Sequence, residues 1–178
     1  MPAGEEGERM LRVIVIGSPG AGKSTFARKL RNAAGLPLYY LDMIWHRPDQ
    51  TSLTPKQFDL RLHEILMKDR WIIDGNYLRT LAVRLQECDT VFLFDLPPTI
   101  CLAGARARIG KKREDLPWIE SETDRDFEQS ILDFPRNQLP QIRELLQKHR
   151  HQKDIIIFKS RKEADSYLTV TFPIPQRF

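Results

Sequence analysis

Gly17-Ser18-Pro19-Gly20-Ala21-Gly22-Lys23-Ser24 matches G-x-x-x-x-G-K-[ST] at every position. Leu11 to Ile16, immediately before it, is apolar and rich in β-branched residues, which predicts a buried strand. Lys23 to Ala34, after it, places Phe26, Ala27, Leu30, Ala33 and Ala34 on one helical face. Gly35 stands where a C-terminal cap belongs, and Pro37 prevents continuation. A strand, a glycine-rich turn and a helix N-terminus in this order form an anion site. Glycine lets backbone N–H groups turn inward, and the helix dipole points at the same place. Gly17 through Thr25 are therefore the candidate residues for holding the phosphates of ATP. Lys23 supplies a cation to the β and γ phosphates, and Ser24 supplies a hydroxyl to Mg2+.

Working outward, strand and helix signals alternate. Leu38–Leu41 reads as a second strand. Thr54-Pro55-Lys56-Gln57 then opens a helix with an N-cap, a proline at the first helical position and a capping-box glutamine. Trp71–Asp74, Thr90–Phe94 and Asp154–Phe158 are the remaining strands. Helices are expected after Tyr77, over Pro98–Arg108, Glu122–Leu132 and Arg136–Arg150, and over Lys162–Leu168. Residues 1–10 read as a loose, disordered tail and 171–178 as an irregular one, leaving one domain over 11–170. Such alternation predicts βαβ units, a parallel sheet and a three-layer α/β domain.

Bulk properties narrow the class. In 178 residues, 41% are hydrophobic and 29% charged, as in soluble globular proteins. No apolar run is long enough to cross a bilayer, and the acidic start is unlike a secretory signal. Cys88 and Cys101 give neither a disulfide framework nor metal-ligand spacing, which predicts a reduced, cytoplasmic protein. Net charge is +4, a balance that suits phosphate-bearing ligands and nucleic acid alike.

A magnesium–phosphate site needs a carboxylate at the C-terminal end of a strand. Asp42, Asp74 and Asp95 all end expected strands. Asp74, at the tip of Trp71-Ile72-Ile73, is the expected metal partner beside Ser24. Asp42 is the candidate group for an acceptor hydroxyl, as ligand or base. Asp95 is open to a capping role. Arg106, Arg108, Lys111, Lys112 and Arg113 crowd a stretch where periodicity breaks at Gly110, which predicts a lid over about 106–120 carrying arginines above the phosphates. Asn76, Arg79 and Arg84, around and after the Asp74–Tyr77 turn, are candidate acceptor contacts. Trp45 and His46 are candidates to line the same pocket.

The phosphate loop, Leu41-Asp42-x-Ile44-Trp45, Trp71-Ile72-Ile73-Asp74-Gly75-Asn76-Tyr77-x-Arg79, Phe94-Asp95-x-Pro97 and Lys159-Ser160-Arg161-Lys162-Glu163 occur in that order. Together they resemble the topology-modulation proteins, P-loop kinase-like proteins related to adenylate kinase. The resemblance spans roughly residues 11 to 168. It implies the P-loop nucleoside-triphosphate hydrolase fold, with a five-stranded parallel sheet in order 2-3-1-4-5. It also implies Arg108 as a catalytic lid arginine and Ser160-Arg161 as the segment beside the adenine ring. One departure stands out: where a second lid arginine is expected, one turn before Arg108, this chain has Gly104.

The leading expectation is a kinase moving the ATP γ-phosphoryl group to a nucleotide, a nucleoside or another small acceptor, with Lys23, Asp42 and Arg108 at the chemistry. The alternative is a nucleotide-dependent nucleic-acid-binding regulator using the basic lid, although no DNA-binding motif supports it. The lack of an Asn-Lys-x-Asp guanine motif argues against a GTPase.

Overall fold

The computed structural model describes residues 10–173. The chain runs β1 (Arg12–Gly17), α1 (Lys23–Ala34), β2 (Leu38–Tyr40), α2 (Leu41–Trp45), α3 (Pro55–Leu66), β3 (Trp71–Asp74) and α4 (Leu78–Glu87). It continues with β4 (Thr90–Phe94), α5 (Pro98–Ala107), α6 (Arg125–Asn137), α7 (Leu139–His149), β5 (Asp154–Phe158) and α8 (Arg161–Thr171). All five strands are parallel, in order β2-β3-β1-β4-β5, as the resemblance implied.

Both faces of the sheet are covered, so its central strands are apolar without alternation. Ile14, Ile16, Ile73 and Leu93 pack on one side with Phe58, Leu62, Leu81 and Ile142, from α3, α4 and α7. Val13, Val15, Ile72 and Phe92 pack on the other with Phe26, Leu30, Cys101 and Leu168, from α1, α5 and α8. Local signals hold at the helix ends. Thr54 and Gln57 form the capping box, with N–H···O distances of 3.0 and 3.2 Å, and Gly35 caps α1 in a left-handed conformation.

Register brings Gly17, Tyr40, Asp74 and Phe94 to one edge of the sheet, since Tyr40 pairs with Asp74 and Gly17 with Phe94. Ligands bind at that edge in such folds, where successive connections leave on opposite faces.

Four elements differ from expectation. The second strand stops at Tyr40, because Leu41, Ile44 and Trp45, at i, i+3 and i+4, turn into the short α2 and pack on the core. Asp42 therefore sits in the first turn of a helix rather than at a strand end. α6 starts later than expected, where Asp124 accepts from Phe127 N at 2.6 Å. It then runs past Pro135, which sits in its last turn behind buried Phe134. α7 opens at Leu139 with Pro140 in its first turn, and α8 extends to Thr171. Residues 1–9 and 174–178, most of the two expected tails, lie outside the described residues.

Candidate active site

The phosphate loop connects β1 to α1. Gly22 is the N-terminal boundary of α1 and has φ +103°, and no side chain caps that end, so its N–H groups remain for a ligand. Gly20 meets α5 so closely that a Cβ there would lie 2.0 Å from Cys101 O. Gly104, on α5, faces the same contact: a Cβ would lie 2.2 Å from Gly20 O and 2.5 Å from Arg161 Nη2. Position 104 is thus a packing position beneath the loop. No arginine fits there, so the departure at Gly104 follows from close packing of α5 on the loop.

Lys23 is folded back on its own loop, donating from Nζ to Ser18 O at 2.8 Å. Burial lowers its pKa, against the attraction of Asp74. The Ser24 hydroxyl donates to Asp74 Oδ2 at 2.5 Å and lies 3.3 Å from Asp115 Oδ2. Asp74 is 4% exposed, and its Oδ1 is buried with no hydrogen-bond partner. Burial pushes its pKa up to about 6, even with Lys23 and the Ser24 bond pulling it down. A buried carboxylate oxygen without a partner, beside a serine hydroxyl and an anion nest, suits a hard divalent cation.

Asp42 faces the loop across a cleft of about 480 Å³. Its Oδ1 accepts from Tyr77 Oη at 2.6 Å. Burial, then the Asp42 charge, pushes the Tyr77 pKa up, which keeps the phenol a donor. Tyr77 has φ +29°, a strained value for a residue with a side chain. Arg84 holds that turn in place. It is 0% exposed, and its guanidinium donates to Gly75 O at 3.0 Å, Asn76 O at 2.5 Å and Tyr77 O at 3.0 Å. Desolvation lowers its pKa to about 10.

Arg84, expected to meet an acceptor anion, is thus spent on the backbone of the turn that carries Tyr77. The apolar stripe of α4 foretold this, since position 84 lies beside Leu81 and Leu85 on the buried face. Arg79 is also away from the cleft, paired with Asp59 at 2.7 Å on the surface. Asn76 does line the cleft, donating to Gln138 from α6–α7, while its Oδ1 is buried without a partner. Asp95 does not cap α5; it pairs with Arg143 and Lys159.

The stretch 106–120 has no helix after Ala107 and folds over the loop. Arg108 reaches both sides of the site, and its Nε is buried without a hydrogen bond, 3.6 Å from Glu120 Oε2. Burial lowers its pKa. Arg106 turns outward to Glu128 at 2.7 Å. Arg113 is paired with Asp115 at 2.5 Å and with Glu120. Asp115 is 5% exposed and links this segment to Ser24. Sequence reasoning missed Asp115 and Trp118, whose ring centroid lies 5.0 Å from that of His46 at a steep angle, because nothing periodic marks an irregular segment.

A second cleft of about 340 Å³, lined by Gly20, Gly22, Thr25, Arg28, Lys111 and Arg161 among others, lies over the loop. It shares Lys23, Ser24, Arg108, Arg113 and Asp115 with the walls of the first. Arg161 donates to Gly20 O at 2.8 Å and Ala21 O at 3.3 Å, bracing the loop from its C-terminal side. The Ser160 hydroxyl is occupied as the cap of α8. A larger hollow, bordered by Met10, Tyr167 and Phe172, is remote from all these groups and carries none of the chemistry. Among the described residues, no helix is long and apolar enough to cross a membrane.

No protein-family model matches the chain, and no curated protein matches it in sequence. Its backbone is similar to solved shikimate kinases. The enzyme from Acinetobacter baumannii, in complex with shikimate, aligns over 95% of this chain and 97% of its own, with TM-score 0.59 and 18% identity. That from Bacteroides thetaiotaomicron covers 91% and 96%, with TM-score 0.56 and 15% identity. That from Aquifex aeolicus covers 90% and 93%, with TM-score 0.53 and 18% identity. At these identities the likeness is one of fold.

Proposed function

We propose that this chain is a kinase that moves the γ-phosphoryl group of Mg2+-bound ATP to a hydroxyl on a small molecule. One observation carries the reading: a cleft over the phosphate loop and a second cleft holding Asp42 adjoin, sharing Lys23, Ser24 and Arg108 in their walls. A switch or a simple hydrolase has no use for the second chamber. The fold likeness to shikimate kinases supports the same class. The ordered motifs that resemble the topology-modulation proteins support kinship with that family.

Bound Mg2+·ATP supplies an electrophilic γ-phosphoryl group whose charge the metal partly neutralises. Ser24 and Asp74 would hold the metal, and the amides from Gly20 to Ser24 the phosphate oxygens. Lys23 exchanges a neutral carbonyl for an anion, a stronger partner for an ammonium. Asp42 receives the acceptor hydroxyl and its proton, oriented by the bond from Tyr77. Arg108, with Nε unpartnered, meets charge developing on the transferred group. Arg113 and Asp115 keep the lid folded against Ser24, which excludes water from the transfer.

The nucleic-acid reading finds no observation in its favour. Arg106 is spent on Glu128 and Arg113 on Asp115 and Glu120, which leaves Lys111 and Lys112 as the exposed cations of the segment without an acid partner among the described residues.

The test is a coupled ADP-release screen over nucleosides, nucleoside monophosphates and hydroxylated metabolites, with Lys23→Ala as control. Acceptor-dependent ADP formation, lost by at least about a hundredfold in Lys23→Ala, is expected. ADP release that ignores every acceptor would sink the proposal.

A further inference from the structure

The two joined clefts differ in charge, and that difference bears on the acceptor. Residues lining only the loop-side cleft include Arg28, Lys111 and Arg161 and no acid. Residues lining only the Asp42-side cleft include Asp42, Asp74, Glu120, Glu122 and Asp124 and neither lysine nor arginine. The junction holds Lys23, Arg108 and Arg113 with Asp115.

The cations at the junction face the phosphate loop or the lid acids. Arg113 is shared between Asp115 and Glu120. Lys23 belongs to the phosphate loop. Arg108 sits 3.6 Å from Glu120 and reaches the loop-side cleft, where phosphate charge arrives. Arg79 and Arg84, the other arginines near this turn, are tied to Asp59 and to backbone carbonyls. Asp42, by contrast, is bonded to a neutral phenol, and Glu122 is exposed at the rim. A carboxylate or phosphate on the acceptor would enter a chamber whose acids outnumber its cations, which are Lys23, Arg108 and Arg113 at the junction. Like charges brought together in a partly desolvated site are strongly disfavoured. Hydroxyl and ammonium groups instead donate to carboxylates.

From this we infer that the acceptor is a hydroxyl compound without an anionic group, either uncharged or bearing an amine. The inference rests on the kinase reading and narrows it: nucleoside monophosphates and hydroxy acids are excluded, and nucleosides, sugars and amino sugars remain. Tyr40, Tyr77, Trp118 and Phe127 line the same chamber and add apolar surface beside the acids.

The experiment uses matched probes differing in one ionised group: adenosine against adenosine monophosphate, and glucose and glucosamine against gluconate, with shikimate as a further anion. Each is titrated by calorimetry onto protein saturated with a non-hydrolysable ATP analogue and Mg2+, and separately offered as acceptor with ATP. The neutral or aminated member of at least one set is expected to bind at least about tenfold tighter than its anionic counterpart. Glu122→Lys, an exposed substitution, should narrow that gap. An anionic probe that binds equally or better, or a gap that Glu122→Lys leaves unchanged, overturns the inference. Turnover answers a different question. Binding in the expected order without Lys23-dependent transfer to any probe would refute the kinase reading and leave the charge preference standing.

Discussion

The loop-side half of the cleft is built mainly from backbone, and the Asp42-side half almost entirely from side chains. The first needs one contiguous run, Gly17 to Ser24, with Gly20 and Gly22 in left-handed conformations and Arg161 as an outside brace. The second gathers Asp42 from α2, Tyr77 from the turn after β3, and Asp115, Trp118 and Glu120 from the lid. Backbone donors recognise what every nucleoside triphosphate shares, whereas side chains can be exchanged without disturbing the loop. A site divided this way keeps its donor fixed and leaves its acceptor open to selection.

Three changes probe that division. Asp42→Asn touches only the acceptor half. It should cut kcat about 10²- to 10⁴-fold while calorimetry finds ATP binding within about twofold of the parent protein. Loss of ATP affinity on the same scale would show that the halves are not separable.

Asp74, which the proposal assigns to the donor half, is buried at a cost to the fold. Its carboxyl has a pKa of about 6 folded against 3.8 as the ordinary value. The folded protein therefore holds this proton more tightly than the unfolded chain does. Stability is lost as pH rises from about 4 through about 6, and the loss is complete above that range. Asp74→Asn should recover on the order of 2–3 kcal/mol at pH 8, read by denaturant unfolding, and should level the pH dependence between 4 and 6. The same variant should lose Mg2+-dependent turnover. A destabilised Asp74→Asn protein would mean that the charge holds the loop together.

Gly104→Ala tests the backbone character of the donor half. Inside a helix this change ordinarily stabilises by up to about 1 kcal/mol. Here the new methyl meets Gly20 O and Arg161, so the loop must shift. ATP affinity should fall about tenfold, with acceptor binding unaltered. Unchanged ATP affinity would show that the loop tolerates displacement.

The same division explains what could be read in the sequence. The phosphate loop, the Thr54 capping box and the apolar strands are contiguous signals whose meaning is local. Asp42 and Asp74 could be picked out because each ends a short apolar run. α2 is too short to show periodicity before its contacts with the core are known. Asp115 is meaningful only because the lid folds onto Ser24, 91 positions away in the chain. Arg84 differs from expectation for the opposite reason, since its guanidinium goes to backbone carbonyls of the Gly75–Tyr77 turn. Arginine is ordinarily exposed, yet its place on the buried stripe of α4 was visible in the spacing of Leu81 and Leu85. Gly104 also carried a local signal, since a glycine inside a helix asks for a close packing partner.

The most direct test follows the phosphorus itself. ATP radiolabelled at the γ position is incubated with protein, Mg2+ and the best neutral or aminated acceptor, and the products are separated. The account predicts label on the acceptor, with little inorganic phosphate and transfer by Asp42→Asn reduced at least about a hundredfold. Label found only in inorganic phosphate, at the same rate with and without acceptor, would contradict it.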